Sequence, residues 1–243
     1  MTNFKTRLLF LNAAICALVS VSSLCAQDYK VDAIAKNNFQ WPEGKQVAVS
    51  LTFDDARLSQ IDKGIPLLDR YNVKGTFYVS AGSVLKRLDG WKQAIKNGHE
   101  VGNHTMTHAC TGNYDFSRNK ALEGFTLEWM RADIDSANQF IKRTLGMDAV
   151  SFAYPCGQTF VGKGVDTKSY VPLIAATFES GRGWLGEGAN VPLVCDLAQL
   201  TGMEIDGKTF DQVKAIIEAG RSAGKWIIFA GHEMDEGGRQ ITS

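Results

Sequence analysis

The sequence predicts an α/β fold in which parallel strands alternate with helices around a barrel. Three observations carry that expectation. Short β-branched and aromatic runs alternate with stretches of helical periodicity, the pattern of βαβ units. The length, 243 residues, suits one α/β barrel domain. Polar groups sit where strands should end: "DD" at 54–55, "NHTMTH" at 103–108, "YPCG" at 154–157 and "GH" at 231–232. In a parallel barrel the C-terminal strand ends open onto one face, where catalytic groups gather.

The elements follow in chain order. "QVAVSLTF" (46–53) alternates apolar and small residues and reads as a strand buried on both faces. "IPLLDRYN" (65–72) carries Pro66 where a first helical turn tolerates it. "GTFYVS" (75–80) is a strand, and "WKQAIKNG" (91–98) a short helix stopped by Gly98. A further short strand leads into "NHTMTH". Leu127, Met130, Ile134, Ala137, Ile141 and Leu145 recur at three- and four-residue steps, one long amphipathic helix closed by Gly146. "AVSFAYP" (149–155) is strand-like, "FDQVKAIIEAGRSAGK" (210–225) helical, and "WIIFAGH" (226–232) a buried strand. The glycine-rich "ESGRGWLGEGAN" (179–190) reads as a functional loop.

Before these elements lie Lys5 and Arg7, an apolar run from Leu8 to Val21, and "LCA" ahead of Gln27. That is the pattern of a secretory signal peptide, residues 1–26, followed by an N-terminal extension over 27–45. The expectation is export, to a periplasmic or extracellular location, with no stable membrane insertion after cleavage. Cleavage takes two of the 26 basic residues and none of the 26 acidic ones, leaving a net charge of −2. Such a balance offers no electrostatic case for nucleic acid. Of five cysteines, Cys110, Cys156 and Cys195 survive cleavage. Export permits one disulfide among them, with three pairings open.

The motifs carry the chemistry. His104 and His108, four apart, fall on one side of a helix or helical turn, a chelating geometry. His99, beside Val101, reads as a hydrogen-bonded structural residue. Asp54 and Asp55 end the first strand. Adjacent strand residues face opposite ways, so both reach one pocket only if the chain leaves strand geometry there. One carboxylate then binds a metal while its neighbour accepts a proton. An aspartate with two histidines leaves room for water and suits zinc among other divalent ions. His232 is placed to act as a general acid. The turn at Tyr154, Pro155 and Cys156 exposes a backbone N–H, that of Cys156, as an oxyanion donor. Trp184 supplies an exposed aromatic for a sugar.

Together "TFDD", "NHTMTH", "FAYPCG" and "GH" resemble the four motifs of the polysaccharide deacetylases, the NodB-homology domain or carbohydrate esterase family 4. The resemblance covers residues 46–243. It implies a distorted (β/α) barrel and metal-dependent removal of N- or O-acetyl groups from an acetylated glycan, with zinc the favoured ion. By position, Asp54 resembles the catalytic base, Asp55, His104 and His108 the metal ligands, His232 the acid and the Cys156 amide the oxyanion donor. Departures are visible. The family often has arginine where this chain has Ala153, so another residue must orient the base, and Arg182 is the expected one. The partner of His232 is Asp196 or Asp206. Only eleven residues follow His232, so the barrel is expected to be incomplete at its C-terminal side. Two rival readings are a hydrolase of a non-carbohydrate amide on the same scaffold, and a glycan-binding protein with impaired catalysis.

Overall fold

A computed structural model describes residues 39–235 and 240–242. The expected signal peptide, and the extension up to residue 38, lie outside the described residues.

The first strand, β1 (Ala48–Asp54), is flanked on one side by β2 (Thr76–Val79), β3 (Glu100–Asn103), β4 (Ser151–Ala153) and, past the short antiparallel pair β5 (Phe160–Val161) and β6 (Lys168–Ser169), by β7 (Ser180–Arg182). On its other side lie β9 (Trp226–Gly231) and β8 (Met203–Glu204). The sheet order is β7-β4-β3-β2-β1-β9-β8, and every pairing within it is parallel. Residues 200–204 touch both edges. Leu200 bridges Arg182 of β7, while Met203 and Glu204 pair with Phe229 and Ala230 of β9. The segment that carries the edge strand β8 thus also bridges the opposite edge strand β7, and the curled sheet is the distorted barrel that the family resemblance implied. A last pair, β10 (Glu233–Met234) with β11 (Ile241–Thr242), sits beyond β9.

The crossover helices are α1 (Ile65–Arg70), α2 (Ala81–Leu85), α3 (Leu88–Lys96), α4 (Leu127–Leu145), α5 (Val171–Thr177) and α6 (Phe210–Ser222). Capping explains the boundaries of the longest. Thr126 accepts a hydrogen bond from the Trp129 N–H at the start of α4, and Gly146 ends it at φ 77°. Thr209 and Gln212 form a reciprocal capping box on α6. That helix stops at Ser222, three residues short of the expected end, because Gly224 turns the chain at φ 64°. Helix α1 is preceded by a π-helical turn, Gln60–Gly64, that the sequence pattern did not show.

Two expectations change. The stretch 179–190 is not loop throughout: its first part is strand β7, which delivers Arg182. Strand β1 is buried only over Thr52–Asp54, and Val49 is exposed. The core divides into clusters, two of which share the sheet face covered by α4. One gathers Phe53, Phe77, Trp91 and Ile141, and another Leu122, Phe152, Tyr154 and Tyr170. Among the described residues no helix is long and apolar enough to cross a membrane.

Candidate active site

The four polar motifs sit where β1, β3, β4 and β9 end. At Asp54 the chain is still strand; at Asp55 it leaves, with φ 73°, and Ala56 follows at φ 51°. That break lets the two carboxylates share one site. Non-glycine residues at positive φ are uncommon and cluster at functional positions.

Asp54 is 3% exposed and held from β7. Arg182 Nη2 and Nη1 donate to its two oxygens at 2.5 and 3.1 Å, a bidentate pair with both side chains buried. Burial by itself would raise the Asp54 pKa. The Arg182 charge and hydrogen bond, with His104 and His232, together outweigh it and bring the group down to about 2. The guanidinium also lies over the Tyr78 ring, 4.8 Å from its centroid. Gly202 makes room for it: a Cβ there would stand 2.5 Å from Arg182 Cδ.

Asp55 Oδ1 lies 3.6 Å from His104 Nε2 and 3.4 Å from His108 Nε2, and one ligand atom of each of the three falls within 4.8 Å of the others. Its second oxygen accepts from Arg57 Nη2 at 2.9 Å, which leaves Oδ1 facing the imidazoles. His104 donates its Nδ1–H to the Ala153 carbonyl at 2.8 Å, so Nε2 presents a lone pair to the site. Burial, and then the neighbouring His104, push His108 down to about 4, so its ring is neutral, the form a metal requires. This donor set fits a divalent cation: one carboxylate and two imidazoles, that of His104 held by the Ala153 carbonyl with Nε2 free to ligate. A second grouping, His108 with Cys110 and Cys156, offers no thiolate because its sulfurs form a disulfide.

The histidine spacing works differently from the expected helical turn. Thr105 and His108 both have positive φ, 61° and 51°, and side chains build the loop. Asn103 Oδ1 accepts from the Thr105 N–H, and Thr105 Oγ1 accepts from the His108 N–H. Asp133 on α4 accepts from both the N–H and the hydroxyl of Thr107. His99 lies elsewhere: it accepts from Gly75 N–H and contacts Asp69, a structural residue.

His232 follows β9 and is buried. Its Nδ1–H donates to Asp206 Oδ2 at 2.6 Å, and its backbone N–H donates to the other oxygen. Of the two candidate partners, the structure brings Asp206 to it; Asp196 instead starts a 3-10 turn by accepting from Ala198 N–H. Burial lowers the His232 pKa, but Asp206, then Asp54 and Asp55, outweigh it, so the net shift is upward. Gln60 ties this side to Asp54, donating from one amide nitrogen to the Asp54 and His232 carbonyls.

The remaining expectations divide. Cys156 sits at φ 55° in the turn after β4, and its sulfur is bonded to Cys110, which excludes it as a nucleophile and leaves Cys195 free. Among the described residues its backbone N–H has no protein acceptor. Trp184 is half-buried rather than exposed, its ring edge-on to His232 at 5.4 Å. Tyr154 is a correction. It is 1% exposed, its hydroxyl donates to the Ala198 carbonyl and its ring packs on Phe152 and Tyr170, so its side chain lines the core and not the site. Pro155 is likewise buried. Arg57 and Gln60 were missed. Arg57 in "DDAR" is close enough in sequence to have been suspected; Gln60 carried no signal.

A family model described as polysaccharide deacetylase matches residues 42–166, about half of the chain. The chain belongs to the polysaccharide deacetylase family. A chitin deacetylase from Arthroderma benhamiae is 29% identical over 185 residues, 68% of this chain and 48% of that protein. A peptidoglycan-N-acetylglucosamine deacetylase from Listeria monocytogenes is 39% identical over 61 residues, 25% of this chain and 13% of that protein. This chain thus spans about half or less of the length of these relatives. Two solved structures share its fold. A putative polysaccharide deacetylase from Mycobacterium smegmatis has a TM-score of 0.57 at 16% identity, covering 80% of this chain and 79% of its own. The catalytic domain of a peptidoglycan N-acetylglucosamine deacetylase from Eubacterium rectale has a TM-score of 0.52 at 20% identity, covering 83% of each chain.

Proposed function

We propose that this deacetylase is an exported, metal-dependent hydrolase that removes N-acetyl groups from a polysaccharide containing N-acetylglucosamine. The observation that carries the reading is the convergence of Asp55, His104 and His108 beside an Asp54 gripped by Arg182, with His232 held by Asp206. The relatives' names support the substrate class. The leader-like N-terminus and the Cys110–Cys156 bridge support export.

Asp55, His104 and His108 would hold the ion, which supplies Lewis acidity to an acetyl carbonyl and brings the pKa of water toward neutrality. The chain's own groups do the rest. Asp54, kept ionised and oriented by Arg182, accepts a proton from the attacking water. The new C–O bond forms as charge collects on the carbonyl oxygen, and the Cys156 N–H is placed to hydrogen-bond that oxygen. The C–N bond then breaks, acetate departs, and His232 gives its proton to the leaving amine. Asp206 holds the imidazole in the tautomer with Nε2 toward the leaving group.

The test is acetate release from chitin oligomers, peptidoglycan and acetylated xylan, with and without a chelator. Release from the glucosamine polymers, abolished by chelation and restored by a divalent ion, is the expected result. Release from acetylated xylan alone would make the chain an O-deacetylase, and turnover of small amides alone would take it out of carbohydrate chemistry.

A further inference from the structure

The loop that follows His108 carries two large aromatic rings, and both are exposed: Tyr114 by 43% and Phe116 by 58%. Exposed apolar surface beside a site marks a place where something docks. The loop is firmly held. Ser117, fully buried, accepts from the Cys110 N–H and donates to the Cys110 carbonyl, and the Leu122 N–H donates to that same carbonyl. Glu123 accepts from Thr111 and from the Gly112 N–H. Leu122 is 0% exposed. The loop therefore has an apolar anchor turned inward and an aromatic pair turned outward.

The two rings are parallel, 6° apart in plane with centroids separated by 5.6 Å. They present one stepped aromatic face. The Phe116 ring stands 6.3 Å from the ring of His108. The face is thus continuous with the candidate metal site and lies to one side of it.

We propose that Tyr114 and Phe116 form a sugar shelf that stacks on the pyranose next to the one being deacetylated. This rests on the proposed function. A pyranose with equatorial substituents has an apolar face of C–H groups, positive at their hydrogens, which matches the negative face of an aromatic ring. The rigid loop limits the ordering cost of that contact. The occupant is an extended glycan chain: the two rings lie beside the candidate metal site, with Phe116 6.3 Å from His108, so the part of a chain that would lie over them is the sugar next to the one being deacetylated.

The experiment uses the Tyr114→Ala/Phe116→Ala double variant and the conservative Phe116→Trp. Sedimentation with insoluble chitin, peptidoglycan sacculi and xylan measures binding without any need for turnover. The expected result is at least a tenfold loss of polymer binding in the double variant, little loss in Phe116→Trp, and a melting temperature close to that of the parent. In acetate release, KM for a chitin hexamer rises at least tenfold while kcat falls less than threefold. Equal sedimentation of parent and double variant with all three polymers overturns the shelf, as does a fall confined to kcat. Failure of the parent to release acetate from any glycan overturns the proposed function instead, while the binding comparison still decides the shelf.

Discussion

Arg182 and Ala153 are register partners on adjacent parallel strands, and it is Arg182 that reaches Asp54. Ala153 occupies the position where the family resemblance led us to look for an arginine. Partners in register on a parallel sheet project to the same face, so the guanidinium has been supplied from the neighbouring strand. Ala153 keeps a different task through its carbonyl, which accepts from His104.

The arginine therefore acts by position. Arg182→Ala strands a buried carboxylate, which costs about 3–5 kcal/mol of stability, and should lower kcat at least a hundredfold. Adding Ala153→Arg should recover tenfold or more of that loss. Acetate-release kinetics with thermal melting checks both; a double variant no better than Arg182→Ala would show that the two strands are not interchangeable.

Asp54 and Asp55 should separate cleanly. Asp54→Asn is expected to retain a divalent ion while turnover falls by the ~10²–10⁴-fold typical of one acid–base group, or more. His104→Ala should lose the ion itself. Elemental analysis alongside kinetics distinguishes them, and loss of metal from Asp54→Asn would reassign that residue as a ligand.

His232 should set the alkaline limb of the pH profile. Its pKa is raised, so the protonated acid persists to higher pH and activity falls as pH climbs through that value. The groups that act on it are Asp206, Asp54 and Asp55, with Trp184 against its ring and the Thr242 hydroxyl on Asp206. Asp206→Asn removes the largest upward influence, leaving burial to pull the pKa down, so the alkaline limb should move toward lower pH. The pairing also adds fold stability that is complete below the unfolded histidine pKa and disappears as pH rises through the folded one. A limb that stays in place in Asp206→Asn would remove His232 from the acid role.

The Cys110–Cys156 bridge joins the segment after His108 to the turn bearing the Cys156 amide, and Cys110 Sγ lies 3.8 Å from His108 Nδ1. Closing a loop with a sequence separation of 46 residues is worth about 4 kcal/mol in the chain-entropy picture. Replacing both cysteines by serine should lower the melting temperature and also kcat, whereas Cys195→Ser should do neither. Full activity in the double variant would reduce the bridge to a stability element.

Much of this was legible in one dimension. Long helix α4 and its Gly146 stop follow from periodicity and capping, which are local. The metal-ligand candidates Asp55, His104 and His108 were legible because their motifs end strands, and parallel strands end on one face. The order of the sheet, the choice of Asp206 over Asp196, the pairing of Cys110 with Cys156 and the burial of Tyr154 were not. Each depends on which segments lie side by side after folding, and contacts such as Arg182–Asp54 join residues 128 apart in sequence. Residue types and spacing determined what chemistry this chain can hold; only tertiary packing decided which carboxylate is gripped, which imidazole nitrogen is free and which rings remain exposed, because those are set by neighbours that the linear order does not name.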